Sequence, residues 1–258
     1  MDLELKNRFF IICGAGSGLG NATAIRLAQE GAQVLAIART KEKLEKLCNS
    51  FPDNIEAFHG DLFRGDFIHE LLAYLVNRRV DGVLVNAAGP PAKQALETNI
   101  NDWDDAYRTL IRWKIQLIDP IVRKMMVAGY GRILFLESIS TKQPVENLAL
   151  SNSLRLAIVG FAKTLSLETA HRGVTVNVIA PGYHDTAAMQ RLIEKRSASM
   201  MMSYQEARQF FENQPPVRRM GKPDEFAMLA CWLLSPVSGY ITGQTFSVDG
   251  GLVKSVFG

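Results

Sequence analysis

Seven short apolar runs, separated by segments long enough to form helices, constrain the fold of this chain more than any other feature. Each run is shorter than a typical helix and several are rich in Val and Ile, so we predict that they form β-strands. The runs occupy residues 9–13, 33–38, 55–59, 80–86, 131–137, 174–180 and 244–248. Helical patterns occupy most of the gaps, at about 18–30, 41–49, 65–78, 101–128, 146–171 and 223–234.

Strands joined by helix-length connections pair in parallel, because the chain must cross over to start the next strand at the same edge. The pattern therefore predicts the α/β class, with a doubly wound, seven-stranded parallel sheet and helices on both faces. A chain of 258 residues that is 47% hydrophobic can bury one large core, and no linker divides it, so residues 1–258 form one predicted domain. Residues 187–219 are the least regular part, and we interpret them as a substrate loop or lid.

Composition argues against several classes of partner. Basic and acidic residues alternate and the formal net charge is only +3, which indicates neither nucleic acid nor a membrane surface. Cys13, Cys48 and Cys231 are too few and too far apart for a disulfide framework or a metal site, and the histidines lack ligand spacing. The first apolar run is too short for a signal peptide or a membrane span. We expect a cytoplasmic protein without a metal.

A glycine-rich segment, residues 13–20 (CGAGSGLG), lies between the first predicted strand and the first predicted helix. A diphosphate needs close approach to the backbone and free N–H groups. Glycine permits the first, and a helix N-terminus supplies the second. The segment therefore predicts a dinucleotide site. The alternative is a tight turn that binds no ligand.

The end of the second predicted strand indicates which dinucleotide is bound. An acidic residue there would favour NAD, whereas this chain has Ala38 followed by Arg39. Since a guanidinium matches a phosphate on the ribose, we predict NADPH in preference to NADH. Alternatively, Arg39 merely begins a solvated helix. Asp61, after the third strand, is predicted to accept a hydrogen bond from adenine or to cap the following helix.

Further motifs follow in a characteristic order, and together they resemble the classical short-chain dehydrogenases/reductases, especially the 3-oxoacyl-[acyl-carrier-protein] reductases. The resemblance extends over nearly the whole chain. It implies a single-domain Rossmann fold, an NADP(H) cofactor and a small-molecule carbonyl substrate. The motifs are the glycine segment, Asn86-Ala87-Ala88-Gly89, Gly131-Arg132-Ile133, residues 176–182 (VNVIAPG), Arg219-Met220-Gly221 and Ile241-Thr242-Gly243-Gln244.

The resemblance also exposes a departure at the catalytic positions. The family uses an asparagine, a serine, a tyrosine and, four residues after the tyrosine, a lysine. Counting through the motifs keeps the serine as Ser138 but places Leu110 at the asparagine, Ser151 at the tyrosine and Arg155 at the lysine. Three of the four positions therefore differ from the family pattern.

A serine is a much weaker acid than a phenol and its side chain is shorter, so Ser151 is not expected to replace the tyrosine directly. Arg155 can contact a ribose but cannot usefully shuttle protons. Lys114, on the same helix face as Leu110, is an alternative proton donor unless its ammonium simply reaches water. Tyr183 is another, unless it forms a wall of the pocket.

The sequence thus assigns the candidate catalytic roles to Ser138, Ser151, Arg155, Lys114 and Tyr183. The predicted cofactor contacts are the residues of the turns that follow the strands, together with positions implied by the resemblance. They are Gly14, Gly16, Ser17, Gly18, Leu19, Gly20, Arg39, Asp61, Leu62, Asn86, Ala87, Ala88, Gly89, Arg155, Pro181, Gly182 and Thr186.

Two functions fit these residues. The first is an atypical NADPH-dependent oxidoreductase that transfers hydride to a ketone, an aldehyde or a 3-oxoacyl-type carbonyl, with Ser138 in the oxyanion role. The second is an NADP(H)-binding protein with little or no activity that serves as a sensor or a supporting subunit. The resemblance further implies a homotetramer, with a dimer as the next expectation.

Overall fold

The computed structural model describes residues 1–86 and 88–256. Its centre is a seven-stranded sheet in which every pair of neighbours is parallel. Most strands are buried on both faces, as their continuous apolar runs require. The strands are β1 (Phe9–Cys13), β2 (Gln33–Ala38), β3 (Ile55–His59), β4 (Gly82–Val85), β5 (Gly131–Leu136), β6 (Val174–Pro181) and β7 (Thr245–Val248).

The strand order is β3-β2-β1-β4-β5-β6-β7, which confirms the predicted doubly wound fold. The direction of winding reverses between β1 and β4, which are hydrogen-bonded neighbours. At such a switch point the connections leaving the two strands diverge to opposite faces and open a crevice at the carboxyl ends. The glycine segment and Asn86 both lie at this crevice.

Nine α-helices lie within the described residues. One apolar cluster packs α1, α2 and α9 on one face of the sheet, and a second packs α3, α5 and α6 on the other. The helices are α1 (Gly18–Gln29), α2 (Lys41–Ser50), α3 (Gly65–Tyr74), α4 (Ile100–Tyr107), α5 (Trp113–Ala128), α6 (Ala149–Thr169), α7 (Ala187–Ser199), α8 (Tyr204–Glu212) and α9 (Pro223–Leu234). In residues 1–86 and 88–256 no helix has the length and apolarity to cross a membrane.

The long predicted helix over 101–128 is interrupted at a place that the sequence did not indicate. A π-helical segment, Arg108–Arg112, separates α4 from α5, while Pro120 lies inside α5. A π turn contains more residues than an α turn and rotates the side chains that follow it. Leu110, Ile111 and Trp113 are consequently all buried. The prediction of one continuous helix over 101–128 was wrong.

The segment 187–219 is more regular than predicted, because it contains the two helices α7 and α8. Thr186 caps the first helix through its side chain, and Ser203 caps the second together with Glu206. Met189, Ile193, Ala207, Phe211 and Met220 form a small core of their own. These few apolar residues among many polar ones produce only a weak helical pattern in the sequence.

Candidate active site

A cleft of about 420 Å³ opens at the switch point between β1 and β4. Its floor consists of the glycine turn after β1 and the small-residue turn after β4. The ends of β2 and β3 form one side, and the start of α7 forms another. Most of the residues predicted to contact the cofactor therefore lie in the crevice that the strand order opens.

The glycine turn is shaped by close backbone contacts. Gly14 has a φ of +70°, and a Cβ added to it would lie 2.7 Å from Nδ2 of Asn86. A Cβ on Gly20 would lie 2.5 Å from the carbonyl oxygen of Gly14, so α1 packs directly against the turn. Glycine at these two positions lets the β1 and β4 turns meet without a side chain between them.

Two cationic side chains lie on the cleft where β2 ends and α2 begins. Arg39 and Lys43 both line it, and the Arg39 guanidinium lies 5.9 Å from the ring centre of Phe63. Because α2 begins only at Lys41, Arg39 precedes the helix and faces the cleft from the connecting turn. This position fits a phosphate on the adenosine ribose.

Asp61 lines the same end of the cleft, and its Oδ1 accepts a hydrogen bond of 3.1 Å from the N–H of Phe63. The alternative that Asp61 caps the following helix is wrong, since the cap residue of α3 is Arg64. Asp61 closes a local turn instead, and this turn holds its carboxylate at the cleft.

Twelve of the predicted cofactor residues line the cleft. They are Gly14, Gly16, Ser17, Gly18, Leu19, Arg39, Asp61, Leu62, Asn86, Ala88, Gly89 and Thr186. Among the described residues, Gly20, Arg155, Pro181 and Gly182 belong to the predicted set but do not line it. Ala87 lies outside the described residues. The sequence reasoning missed Lys43 and Arg191, which reach the cleft from the exposed faces of α2 and α7.

Ser138, Ser151 and Arg155 differ in accessibility, and none of them is among the described residues that line the cleft. Ser138 is half-buried at the end of β5, and its Oγ accepts a hydrogen bond of 3.1 Å from the N–H of Ser140. The hydroxyl proton of Ser138 is therefore still able to donate. Ser151 and Arg155 are buried, and Nε of Arg155 donates to Oγ of Ser151 at 2.9 Å.

Glu137, directly before Ser138 in the chain, is bonded by two basic side chains. Its side chain is fully buried, and its Oε2 accepts a hydrogen bond of 2.9 Å from Nη1 of Arg155. Its Oε1 accepts a short hydrogen bond from Nζ of Lys114. One carboxylate thus bridges the cations of two helices.

Lys114 does not extend to water, which contradicts the alternative that its stem packs on the helix while the ammonium is solvated. Only 1% of the residue is exposed. Burial lowers the pKa of the Lys114 ammonium, and the adjacent Glu137 carboxylate opposes this shift. At the asparagine position, Leu110 is also fully buried and belongs to the apolar core.

Tyr183 and His184 lie on the side of the fold that faces α8 and α9. The Tyr183 ring packs edge-on against Phe211 with centroids 5.2 Å apart, and burial raises the pKa of its phenol. Nδ1 of His184 lies 3.2 Å from the carbonyl oxygen of Gly182, and its ring packs against Phe226. Neither residue is among the described residues that line the cleft.

Cys13, the first residue of the glycine segment, is inert in this environment. Burial raises the pKa of its thiol to about 12, although the N–H of Asn86 and the charge of Lys114 act in the opposite direction. Since the thiolate is the reactive form, Cys13 has a packing role beneath the turn and is not a nucleophile.

The fold and the cleft define a doubly wound protein of the Rossmann type. A family model described as enoyl-(acyl carrier protein) reductase matches residues 14–253. The 3-oxoacyl-[acyl-carrier-protein] reductase FabG of Thermotoga maritima is 31% identical over 258 residues, which covers 97% of this chain and 100% of the relative. Nodulation protein G of a Rhizobium species is 31% identical and covers 96% of this chain and 98% of its own.

Solved structures agree with these relatives. A single-residue variant of the actinorhodin polyketide ketoreductase with NADPH superimposes with a TM-score of 0.90 at 28% identity and covers 96% of this chain and 98% of its own. The L-sorbose reductase of Gluconobacter frateurii, complexed with NADPH and L-sorbose, gives a TM-score of 0.93 at 24% identity, with 99% and 100% covered, and supports the fold. The chain belongs to the short-chain dehydrogenase/reductase family of oxidoreductases.

The contact between the two turns predicts the effect of a single methyl group. Gly14→Ala should lower the free energy of unfolding by about 1–3 kcal/mol, because it combines a left-handed backbone with a collision at Asn86. It should also weaken NADPH binding, measured by fluorescence titration. The matched control is Gly65→Ala at the start of α3, where an added Cβ meets nothing within 4 Å. The same free energy of unfolding for the two variants, measured by urea denaturation, would contradict this account of the turn.

Proposed function

We propose that the protein is an NADPH-dependent oxidoreductase that reduces the carbonyl group of a small molecule, with a 3-oxoacyl-type compound as the leading substrate class. The observation that carries the proposal is the cleft itself, in which the two turns at β1 and β4 adjoin the cationic pair Arg39 and Lys43. The relatives that are 3-oxoacyl-[acyl-carrier-protein] reductases support the substrate class.

The residues present fit such a cofactor. Gly14 and Gly18 have positive φ values and bear no side chain that would keep a diphosphate away from the N-terminus of α1. Arg39 and Lys43 would hold a ribose phosphate, and Asp61 would accept a hydrogen bond from adenine. NADPH, when bound, supplies the hydride.

In the proposed reaction the Ser138 hydroxyl donates a hydrogen bond to the substrate carbonyl oxygen, which gains negative charge as the hydride arrives. Ser151 donates no proton to substrate, since it is buried beside the Arg155 guanidinium. Lys114 is buried with Glu137, and Tyr183 packs against the small apolar core of α7 and α8. We therefore assign the final protonation to water. A missing positioned acid lowers the rate by about 10²–10⁴-fold, so turnover should be slow.

A second candidate function is binding of NADP(H) with little or no catalysis. The burial of Ser151 and Arg155 in an ion network favours it, because the Ser151 hydroxyl and two nitrogens of Arg155 are held inside the protein by bonds to each other and to Glu137. Such a protein would act as a sensor or a supporting subunit.

A substrate panel distinguishes the two candidates. With 3-oxoacyl thioesters, ketones and aldehydes, we expect slow loss of NADPH absorbance, and Ser138→Ala should reduce it by about 10²–10³-fold. Matched NADPH titrations of both proteins should show unchanged binding. Tight NADPH binding without turnover on any compound would reject the enzyme and support the second candidate.

Arg39 should determine the choice between cofactors. We expect Arg39→Ala to raise the Kd of NADPH by about tenfold or more, since a hydrogen bond between charged groups contributes roughly 1.5–3 kcal/mol. The Kd of NADH should not change. Lys41→Ala is the control, because Lys41 is a surface residue outside the cleft, paired with Glu45. An equal loss for NADH and NADPH would argue against a contact to the ribose phosphate.

We further propose a cytoplasmic homotetramer. Large apolar side chains are exposed on the helices that the family resemblance assigns to subunit contacts, among them Tyr107 on α4, Ile115 on α5 and Leu156 and Leu167 on α6. The free cysteines suit a reducing compartment. Light scattering after gel filtration should give about four times the chain mass of 28.6 kDa. A monomer mass would overturn the assembly.

A further inference from the structure

Lys114, Glu137 and Arg155 form a buried group in which one carboxylate contacts two basic side chains. Glu137 follows β5, Lys114 lies on α5 and Arg155 on α6, so three separate elements converge on one carboxylate. The Glu137 side chain is fully buried, and the side chains of Lys114 and Arg155 are 1% and 9% exposed. Both oxygens of Glu137 are engaged, one by each cation.

The bonds of Arg155 define its orientation. Nη1 donates to Glu137 at 2.9 Å, and Nε donates to Ser151 at 2.9 Å. Since a guanidinium is planar and rigid, two bonds fix the direction of the third nitrogen. That nitrogen, Nη2, lies beside Gly89, where an added Cβ would be 3.0 Å away. Gly89 lines the cleft.

Two basic side chains share one carboxylate in a region that is shielded from water, where a charged group is costly unless it is paired. Lys114 with the carboxylate would already form an ion pair, but this pair would tie only α5 to the end of β5. The second cation is the one whose remaining nitrogen approaches the cleft.

We propose that Glu137, anchored by Lys114, is a positioning residue that directs Nη2 of Arg155 toward the ribose of a dinucleotide bound beside Gly89. Lys114 holds one oxygen of the carboxylate so that the other oxygen stays available to Arg155. The role concerns cofactor binding and involves no proton transfer. This inference rests on the proposed NADP(H) function.

Two variants distinguish a purely structural role of Glu137 from a positioning role, because the two roles predict different effects on NADPH binding. Glu137→Gln keeps the shape but leaves both cations without a carboxylate. The double variant Lys114→Met with Glu137→Met removes one basic group together with the carboxylate and provides apolar packing, yet removes the anchor of Arg155. Replacing a buried ion pair by apolar residues of similar volume is often neutral or stabilising.

The readouts are the melting temperature and the Kd values of two probes, NADPH and adenosine 2′,5′-bisphosphate. The second probe carries only the adenosine half and reports on the Arg39 end of the cleft. We expect Glu137→Gln to lower the melting temperature by roughly 10 °C and to weaken NADPH binding. The double variant leaves only Arg155 without a carboxylate, so its melting temperature should lie between those of Glu137→Gln and the native protein, and it should bind NADPH about tenfold more weakly than the native protein. The affinity for adenosine 2′,5′-bisphosphate should stay the same throughout.

Asp81 offers a matched control at the opposite end of the sheet, directly before β4. Its buried carboxylate also contacts two cations, Arg79 at 2.8 Å and Arg8 at 3.5 Å. Asp81→Asn should lower the melting temperature without changing the affinity for either probe. This control separates general loss of stability from loss of orientation at the cleft.

Native-like NADPH affinity in the double variant would overturn the proposal, because charge balance would then explain Glu137 completely. An equal loss of affinity for both probes would overturn it as well, since the effect would not be local to Arg155. Failure of the native protein to bind either probe would instead refute the proposed function. If Glu137→Gln does not fold, the double variant and Asp81→Asn still decide the question.

Discussion

Lys114 and Arg155 lie in a region shielded from water and share the carboxylate of Glu137. A buried charge without a partner is destabilising by several kcal/mol, so this sharing requires α5, α6 and the end of β5 to stay close together. It also determines what the neighbouring groups can do. Arg155 is held by bonds to Glu137 and Ser151, and Ser151 is enclosed by the same contacts. Lys114, Glu137, Arg155 and Ser151 thus form one fixed, buried network.

The cofactor cleft depends on a different constraint, namely close approach of backbone segments. The turns after β1 and β4 meet because Gly14 and Gly20 leave room for each other and for Asn86. These contacts do not involve Ser151 or Arg155, neither of which lines the cleft. The cleft and the ion network approach each other at Gly89, beside Nη2 of Arg155.

Much of the fold and of the cleft was predictable because the signals are local in the sequence. Seven apolar runs in the correct order specify the parallel sheet, and the glycine segment follows β1 directly. The prediction was weaker where short polar helices bury few residues, as in α7 and α8, and where a π-helical segment divides the single helix predicted over 101–128. Lys43 and Arg191 were missed because exposed helical cations look alike in a sequence, whether or not they face a cleft.

The sequence by itself determined the doubly wound topology and the position of the cleft. Only the tertiary structure decided how Lys114 and Glu137 are used. They are 23 residues apart in the chain, and Arg155 is a further 18 residues beyond Glu137. No pattern in the sequence links such positions, because their interaction depends on helices packing against the end of a strand. Burial then makes the pairing obligatory, since an unpaired charge there would have no water to solvate it.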